Sequence, residues 1–179
     1  KKSIKTKIVI LLDHSSSIAP DAIEYKKATL ALCEVLGYLK VKFAVYAFST
    51  QNRTVVCWQI KSDNVKWNTV AAKRLAQIVA NGSTPLAEVY GKMFPVLQSK
   101  RPDIFLTLTD GEPSDPNAVR NMTKTLKRLG IKMVAIGLGP NTIRATAIAV
   151  NLKHLGYERT LAVSRLKDIP SKVIRILDG

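Results

Sequence analysis

The segment Ile8–Leu12, IVILL, is an uninterrupted apolar run that stops on Asp13, and the pattern recurs in Asp103–Thr109, DIFLTLT, which stops against Asp110. A strand that is apolar at nearly every position must be covered on both faces, as in a parallel sheet, and cannot lie with one side in water. Ile131–Leu138, IKMVAIGL, is a third run of this kind. Between the runs, apolar residues recur at helical spacing. The periodicity predicts helices over Pro20–Leu39, Val70–Ala80 (stopped by Asn81-Gly82), Thr84–Leu97 (bent or ended by Pro95), Pro116–Leu129, Thr142–Leu152 and Lys167–Leu177. Ser114 or Asp115 is expected to cap the fourth of these and Gly130 to close it. Val41–Phe48 and Thr54–Ile60 flank a polar STQN turn and read as a hairpin at a sheet edge, with Thr160–Val163 as a weak last strand.

This alternation specifies an α/β fold: a Rossmann-like, doubly wound, mostly parallel six-stranded sheet with one antiparallel edge strand and helices on both faces. With 179 residues and no linker or repeat, one domain over 1–179 is expected, cut from a longer protein since it begins without Met. No apolar run reaches the ~20 residues of a membrane span, so no membrane role is expected. Cys33 and Cys57 lack metal-ligand spacing and read as reduced thiols, which points to an intracellular, cytoplasmic setting.

Charge bears on partners. There are 28 Lys and Arg against 13 Asp and Glu, a formal net charge of +15, with the cations scattered from Lys1, Lys2, Lys5 and Lys7 to Arg175. Such a surface attracts acidic proteins and polyanions alike. Aromatics make up only 6% of the chain and do not interleave with the cations, so base stacking has little support, and nucleic acid stands as the alternative partner. Catalysis is not expected. No GxxxxGK[ST] loop is present, no nucleophile is paired with a base, and Gly137-Leu138-Gly139-Pro140 is a turn lacking the full dinucleotide fingerprint.

In a doubly wound sheet ligands sit beyond the carboxyl ends of the strands, and three polar clusters fall there: Asp13-His14-Ser15-Ser16-Ser17, Gly82-Ser83-Thr84-Pro85-Leu86 and Thr109-Asp110-Gly111-Glu112-Pro113. Each alone reads as readily as a helix cap or an ordinary turn. Together, the D-x-S-x-S, G-x-T-P-L and T-D-G elements resemble, in order and placement, the metal-ion-dependent adhesion site (MIDAS) of von Willebrand A and integrin inserted domains. The wording TDGEPSD is most similar to intracellular A domains that accompany MoxR-type and cobalt-chelatase-type AAA+ ATPases. The resemblance implies a Mg²⁺ (or Mn²⁺ or Ca²⁺) ion held by Ser15 and Ser17 directly, by Thr84 directly or through water, and by Asp13 and Asp110 largely through coordinated waters. It also implies a monomeric interaction module whose partner offers an acidic residue, the expected system being a MoxR-like ATPase. An extracellular adhesion domain is the further alternative. His14, Ser16, Ser83, Glu112 and Asp115 are expected on the partner-binding rim. The chemistry is coherent in its own terms: a hard cation takes oxygen ligands in octahedral array, and few direct carboxylates leave it net positive, with a position open to a partner's carboxylate.

Overall fold

The structure is a computed structural model that describes residues 4–179; Lys1 and Lys2 lie outside them. Six strands, β1 Lys7–Asp13, β2 Lys42–Gln51, β3 Thr54–Lys61, β4 Ile104–Thr109, β5 Lys132–Leu138 and β6 Arg159–Val163, form one sheet in the order β3-β2-β1-β4-β5-β6. Every neighbouring pair is parallel except β2 with β3, as the continuous apolar runs and the edge hairpin required. Six helices surround it: α1 Ala22–Tyr38, α2 Thr69–Gln77, α3 Leu86–Lys100, α4 Pro116–Arg128, α5 Thr142–Lys153 and α6 Ile169–Leu177. Alternate residues of each strand face opposite layers. Ile8, Ile10 and Leu12 pack with Leu32 of α1, Leu75 of α2 and Val173 of α6, whereas Val9 and Leu11 pack with Met93 of α3, Val119 of α4 and Ile148 of α5. The result is two cores separated by one sheet. At the sheet's N-terminal end, Asp63 is clamped between Lys7 (3.1 Å) and Lys100 (3.3 Å), which ties β1 to the end of α3.

Several boundaries differ from the periodicity. The first helix starts at Ala22, because Ser16–Asp21, with Pro20 inside it, winds as a 3-10 turn. α2 stops at Gln77 instead of reaching Ala80, and Ile78 is extended (ψ 127°). Tertiary hydrogen bonds explain this: Ser49 donates its hydroxyl to the Val79 carbonyl (2.6 Å), and the Thr50 amide donates to the Asn81 carbonyl (3.1 Å). The following segment is thereby drawn out alongside β2. α3 passes through Pro95 to Lys100 without ending there. Pro95 and Gly91, the residue four before it, are both exposed, so water can satisfy the carbonyl that proline leaves unbonded.

The hairpin turn also lies later than STQN. β2 runs to Gln51, and Asn52 (φ 50°) with Arg53 (φ 65°) makes a two-residue type I′ turn whose twist matches the strands. Arginine is costly there, because left-handed backbone brings its Cβ against the following carbonyl oxygen, whereas glycine has no Cβ. Arg53→Gly should therefore stabilise the domain by about 0.5–1 kcal/mol. A higher urea midpoint at unchanged m-value is the expected reading; an equal or lower midpoint would contradict the strained-turn assignment.

Candidate metal centre

β1 and β4 are neighbours at the middle of the sheet, and their continuations leave for opposite faces, towards α1 and towards α4. The crevice beyond their carboxyl ends is the place this topology reserves for a ligand. Asp13 ends β1, Thr109 ends β4 and Asp110 follows it. Asp13 is fully buried: its Oδ1 accepts the Ser15 amide (2.7 Å), and its Oδ2 accepts the Thr109 hydroxyl (2.7 Å). One carboxylate thus shapes the first loop and locks it to the end of β4. Ser17 donates its hydroxyl to Asp110 Oδ1 (2.8 Å) and lies 3.1 Å from the Ser15 hydroxyl. Asp13, Ser15, Ser17 and Asp110 are so brought into one cluster.

The middle motif joins through its backbone. Ser16 donates both its amide (2.9 Å) and its hydroxyl (3.0 Å) to the Gly82 carbonyl, the Asn81 amide donates to the His14 carbonyl (2.8 Å), and the Ser114 amide donates to the Thr84 carbonyl (3.0 Å). Three loops are therefore laced together. Thr84 is nearly buried, and its hydroxyl has no hydrogen-bond partner among the described residues. Gly82 is required at its position: φ is +86°, and an added Cβ would fall 2.0 Å from the Thr50 hydroxyl.

The residues expected on the rim differ in exposure. Ser16, Ser83 and Glu112 are exposed, and Glu112 accepts a hydrogen bond from Asn151 of α5 (2.5 Å). Asp115 is half-buried at the N-cap of α4, yet neither it nor Ser114 caps the helix through its side chain. His14 departs from expectation. It is 1% exposed and points inward, so it is not a rim residue. Its Nδ1 lies 3.2 Å from the Leu12 carbonyl, its Nε2 lies 2.8 Å from Lys26 Nζ, and its ring stands edge-on to Tyr25 at 5.2 Å. Burial, aided by Lys26, lowers its pKa to about 4, which makes it a neutral imidazole that donates from Nδ1 and accepts at Nε2. Lys26, itself lowered by burial to about 8, also donates to the Leu75 carbonyl (2.5 Å). Together they brace the first loop against α1 and α2.

Electrostatically the centre is an anionic pocket in a cationic protein. Burial raises the Asp13 pKa to about 6 against the pull of its Thr109 and Ser15 hydrogen bonds, with Asp110 adding to the rise. Asp110 is raised too, first by burial. Neither takes part in any of the four ion pairs among the described residues. No group of three or more His, Cys, Asp or Glu gathers there among the described residues, so a cation would depend on hydroxyls. That donor set fits a hard ion. Ligands adjacent in an octahedron with ~2.1 Å bonds stand about 3 Å apart, close to the 3.1 Å separation of the Ser15 and Ser17 hydroxyls. Beside Ser17 and Asp110 opens a cleft of about 630 Å³ lined also by Asp21, Glu24, Tyr25, Arg165 and Lys167. These wall residues, like Lys26, lie outside the three sequence motifs. Thr109, inside the T-D-G motif, carried a local signal.

The sequence matches the von Willebrand factor type A domain over residues 7–168. This chain belongs to that family. Among solved structures, proximal thread matrix protein 1 from the mussel byssus resembles this VWA domain with a TM-score of 0.67 at 18% identity, covering 97% of this chain and 47% of that one. A further structure of the mussel protein is described as having a zinc-occupied MIDAS motif (TM-score 0.66, 18% identity, 97% and 48% covered). The pilus adhesin SpaC of Lactobacillus rhamnosus GG gives 0.70 at 11% identity, with 97% and 30% covered. The VWA domain of SpRpn10 gives 0.63 at 10% identity, with 94% and 95% covered. This chain spans about half of the mussel protein and under a third of the adhesin. These likenesses carry the fold. A comparison with curated proteins finds no match.

The shifted pKa values fix a pH test for the metal-free domain. Asp13 binds its proton more tightly folded (about 6) than unfolded (3.8), so its ionisation destabilises the fold above about pH 6, and that cost is relieved as pH falls to about 4. His14 works oppositely, since it is about 4 folded and 6.5 unfolded, and stability is lost as pH falls below about 6.5. Asp13→Asn removes the first effect only. In EDTA its urea midpoint should drop more than the wild type's between about pH 7 and about pH 4.5; parallel losses would contradict the assigned ionisation of Asp13.

Proposed function

We propose that this VWA domain is a divalent-cation-dependent protein-interaction module. Ser15, Ser17 and Thr84 hold Mg²⁺ through hydroxyls, with Asp13 and Asp110 providing negative charge largely through coordinated waters. Bound there, the ion supplies a Lewis-acidic position that a partner's Asp or Glu can fill. One observation carries this reading: two carboxylates and two hydroxyls, drawn from two loops, meet in one cluster that no cation among the described residues pairs with. The zinc-occupied MIDAS of the mussel protein supports a divalent ion at this place in the fold. The reading is of binding rather than catalysis, and His14 supports it, because both ring nitrogens are engaged and the ring is buried, leaving the histidine nearest the centre no free role as a base. The partner we favour is a MoxR-type AAA+ ATPase or a substrate brought to it, on the wording TDGEPSD, in an intracellular setting that the free thiols of Cys33 and Cys57 suit.

Calorimetric titration of Mg²⁺ and Mn²⁺ into EDTA-stripped protein tests the site. Saturable one-to-one binding is expected, lost in Asp13→Ala and weakened about tenfold or more in Ser17→Ala, a loss of about 1.4 kcal/mol or more. Equal affinities in all three proteins, or none in the wild type, would reject it.

The formal charge of +15 supports one other reading, nucleic-acid binding through the basic surface. Fluorescence anisotropy with a labelled single-stranded RNA and a labelled duplex DNA decides it. Phosphate-dominated binding should weaken by at least about tenfold between about 50 and about 200 mM salt. No binding at the lower salt would dismiss this alternative.

A further inference from the structure

β3 is the outermost strand of the sheet, eight residues long and free of proline, and among the described residues it pairs only with β2. Which of its backbone groups are free follows from the hairpin. Gln51 and Thr54 close a two-residue turn and so exchange both hydrogen bonds. By alternation, Val56 and Trp58 also bond inward to β2, whereas Val55, Cys57 and Gln59 turn their amides and carbonyls outward. This is an open template for another strand.

The template is flanked by a groove on each face of the sheet. On the face covered by α3, a groove of about 320 Å³ is lined by Val55, Cys57, Met93, Val96 and Lys92. On the opposite face, a groove of about 770 Å³ is lined by Trp58, Ile60, Gln77, Asn81 and Arg74. Neither contains an acidic residue. A strand laid against β3 would send successive side chains alternately into the two grooves, the arrangement by which an added peptide gains affinity from its backbone and specificity from its side chains.

From these features we infer that β3 is a docking edge for an extended, acidic peptide segment of a partner protein, with apolar side chains entering the groove beside Met93 and Val96 and carboxylates facing Arg74. Charge selects this occupant. A second copy of the chain, itself at +15, would bring Lys92 and Arg74 of both copies towards one another across a symmetric strand pair. An acidic strand meets the same cations with the opposite sign. The edge requires no bound metal, so it stands whether or not the proposed cation site does.

The test uses a blocked heptapeptide alternating valine and glutamate, in EDTA so that no metal can hold a carboxylate. Fluorescence anisotropy should show binding at least about tenfold tighter than for the valine–lysine counterpart, and at least about tenfold tighter than for the same peptide N-methylated on alternate amides. Amide hydrogen exchange at Val55, Cys57 and Gln59 should slow on peptide saturation, since those amides are unpaired in the free protein. The exposed pair Arg74→Glu with Lys92→Glu should reverse the preference between glutamate and lysine peptides. Equal affinity for methylated and unmethylated peptides, or unchanged exchange at the three amides, would overturn the proposal. Concentration-dependent protection of those amides without peptide would assign the edge to a second copy and overturn it equally.

Discussion

The Asp13 carboxylate sits where two demands of the fold meet. β1 and β4 must lie side by side and be apolar on both faces to build the two cores, and the first polar side chain beyond that apolar span is delivered to the crevice between them. There it accepts from the Ser15 amide, in the loop after β1, and from the Thr109 hydroxyl, at the end of β4. The geometry of the first loop, the position of Ser17 beside Asp110 and the approach of Ser16 to Gly82 all depend on that anchorage. Two hydrogen bonds do not fully offset the cost of burying the charge, which is why the group titrates high. A positive charge placed beside the two carboxylates would lessen this penalty, as protonation does at low pH.

Charge is partitioned along the sheet axis. At the N-terminal end of the strands, Asp63 is held between two lysines, and that pairing outweighs its burial and lowers its pKa. At the C-terminal end, Asp13 and Asp110 have no such partners among the described residues, in a chain richer in cations than in anions by 15 charges. The basic surface and the acidic crevice therefore need not compete for one ligand. A protein whose carboxylate reaches a cation in the crevice would meet a positive surround, so its association should be fast and salt-sensitive.

Much of this was legible in the sequence, for identifiable reasons. IVILL and DIFLTLT could be read because burial on both faces leaves no alternation to misjudge, and the three motifs because short polar loops follow apolar strands abruptly. What escaped was set by distant neighbours. The end of α2 at Gln77 depends on Ser49 and Thr50, nearly thirty residues earlier in the chain. The passage of α3 through Pro95 depends on which face of the helix meets water. His14 looked like a rim residue because it lies inside the ligand motif. Yet in D-x-S-x-S the serines turn up towards the crevice, while the position after Asp13 turns down into the core against Tyr25 and Lys26. Local spacing could not reveal that a lysine one helical stretch later would accept the role of its partner.

The segment between α2 and α3 explains why the crevice and the sheet edge belong to one surface. Residues 78–82 are not helical because β2 holds them through Ser49 and Thr50, and they cannot drift from the first loop because Asn81 and Gly82 bond to His14 and Ser16. The same stretch contributes Ile78, Val79, Ala80 and Asn81 to one wall of the groove beside β3. It is thus shared by both places, fixed by backbone hydrogen bonds on one side and lining an open groove on the other. Gly82 sets how close the two can come: only a residue without a Cβ lets the loop turn at +86° against Thr50 and still present its carbonyl to Ser16. A bulkier residue there would have to push the loop off β2 or away from Ser16, so one small residue links the edge of the sheet to the arrangement of its central crevice.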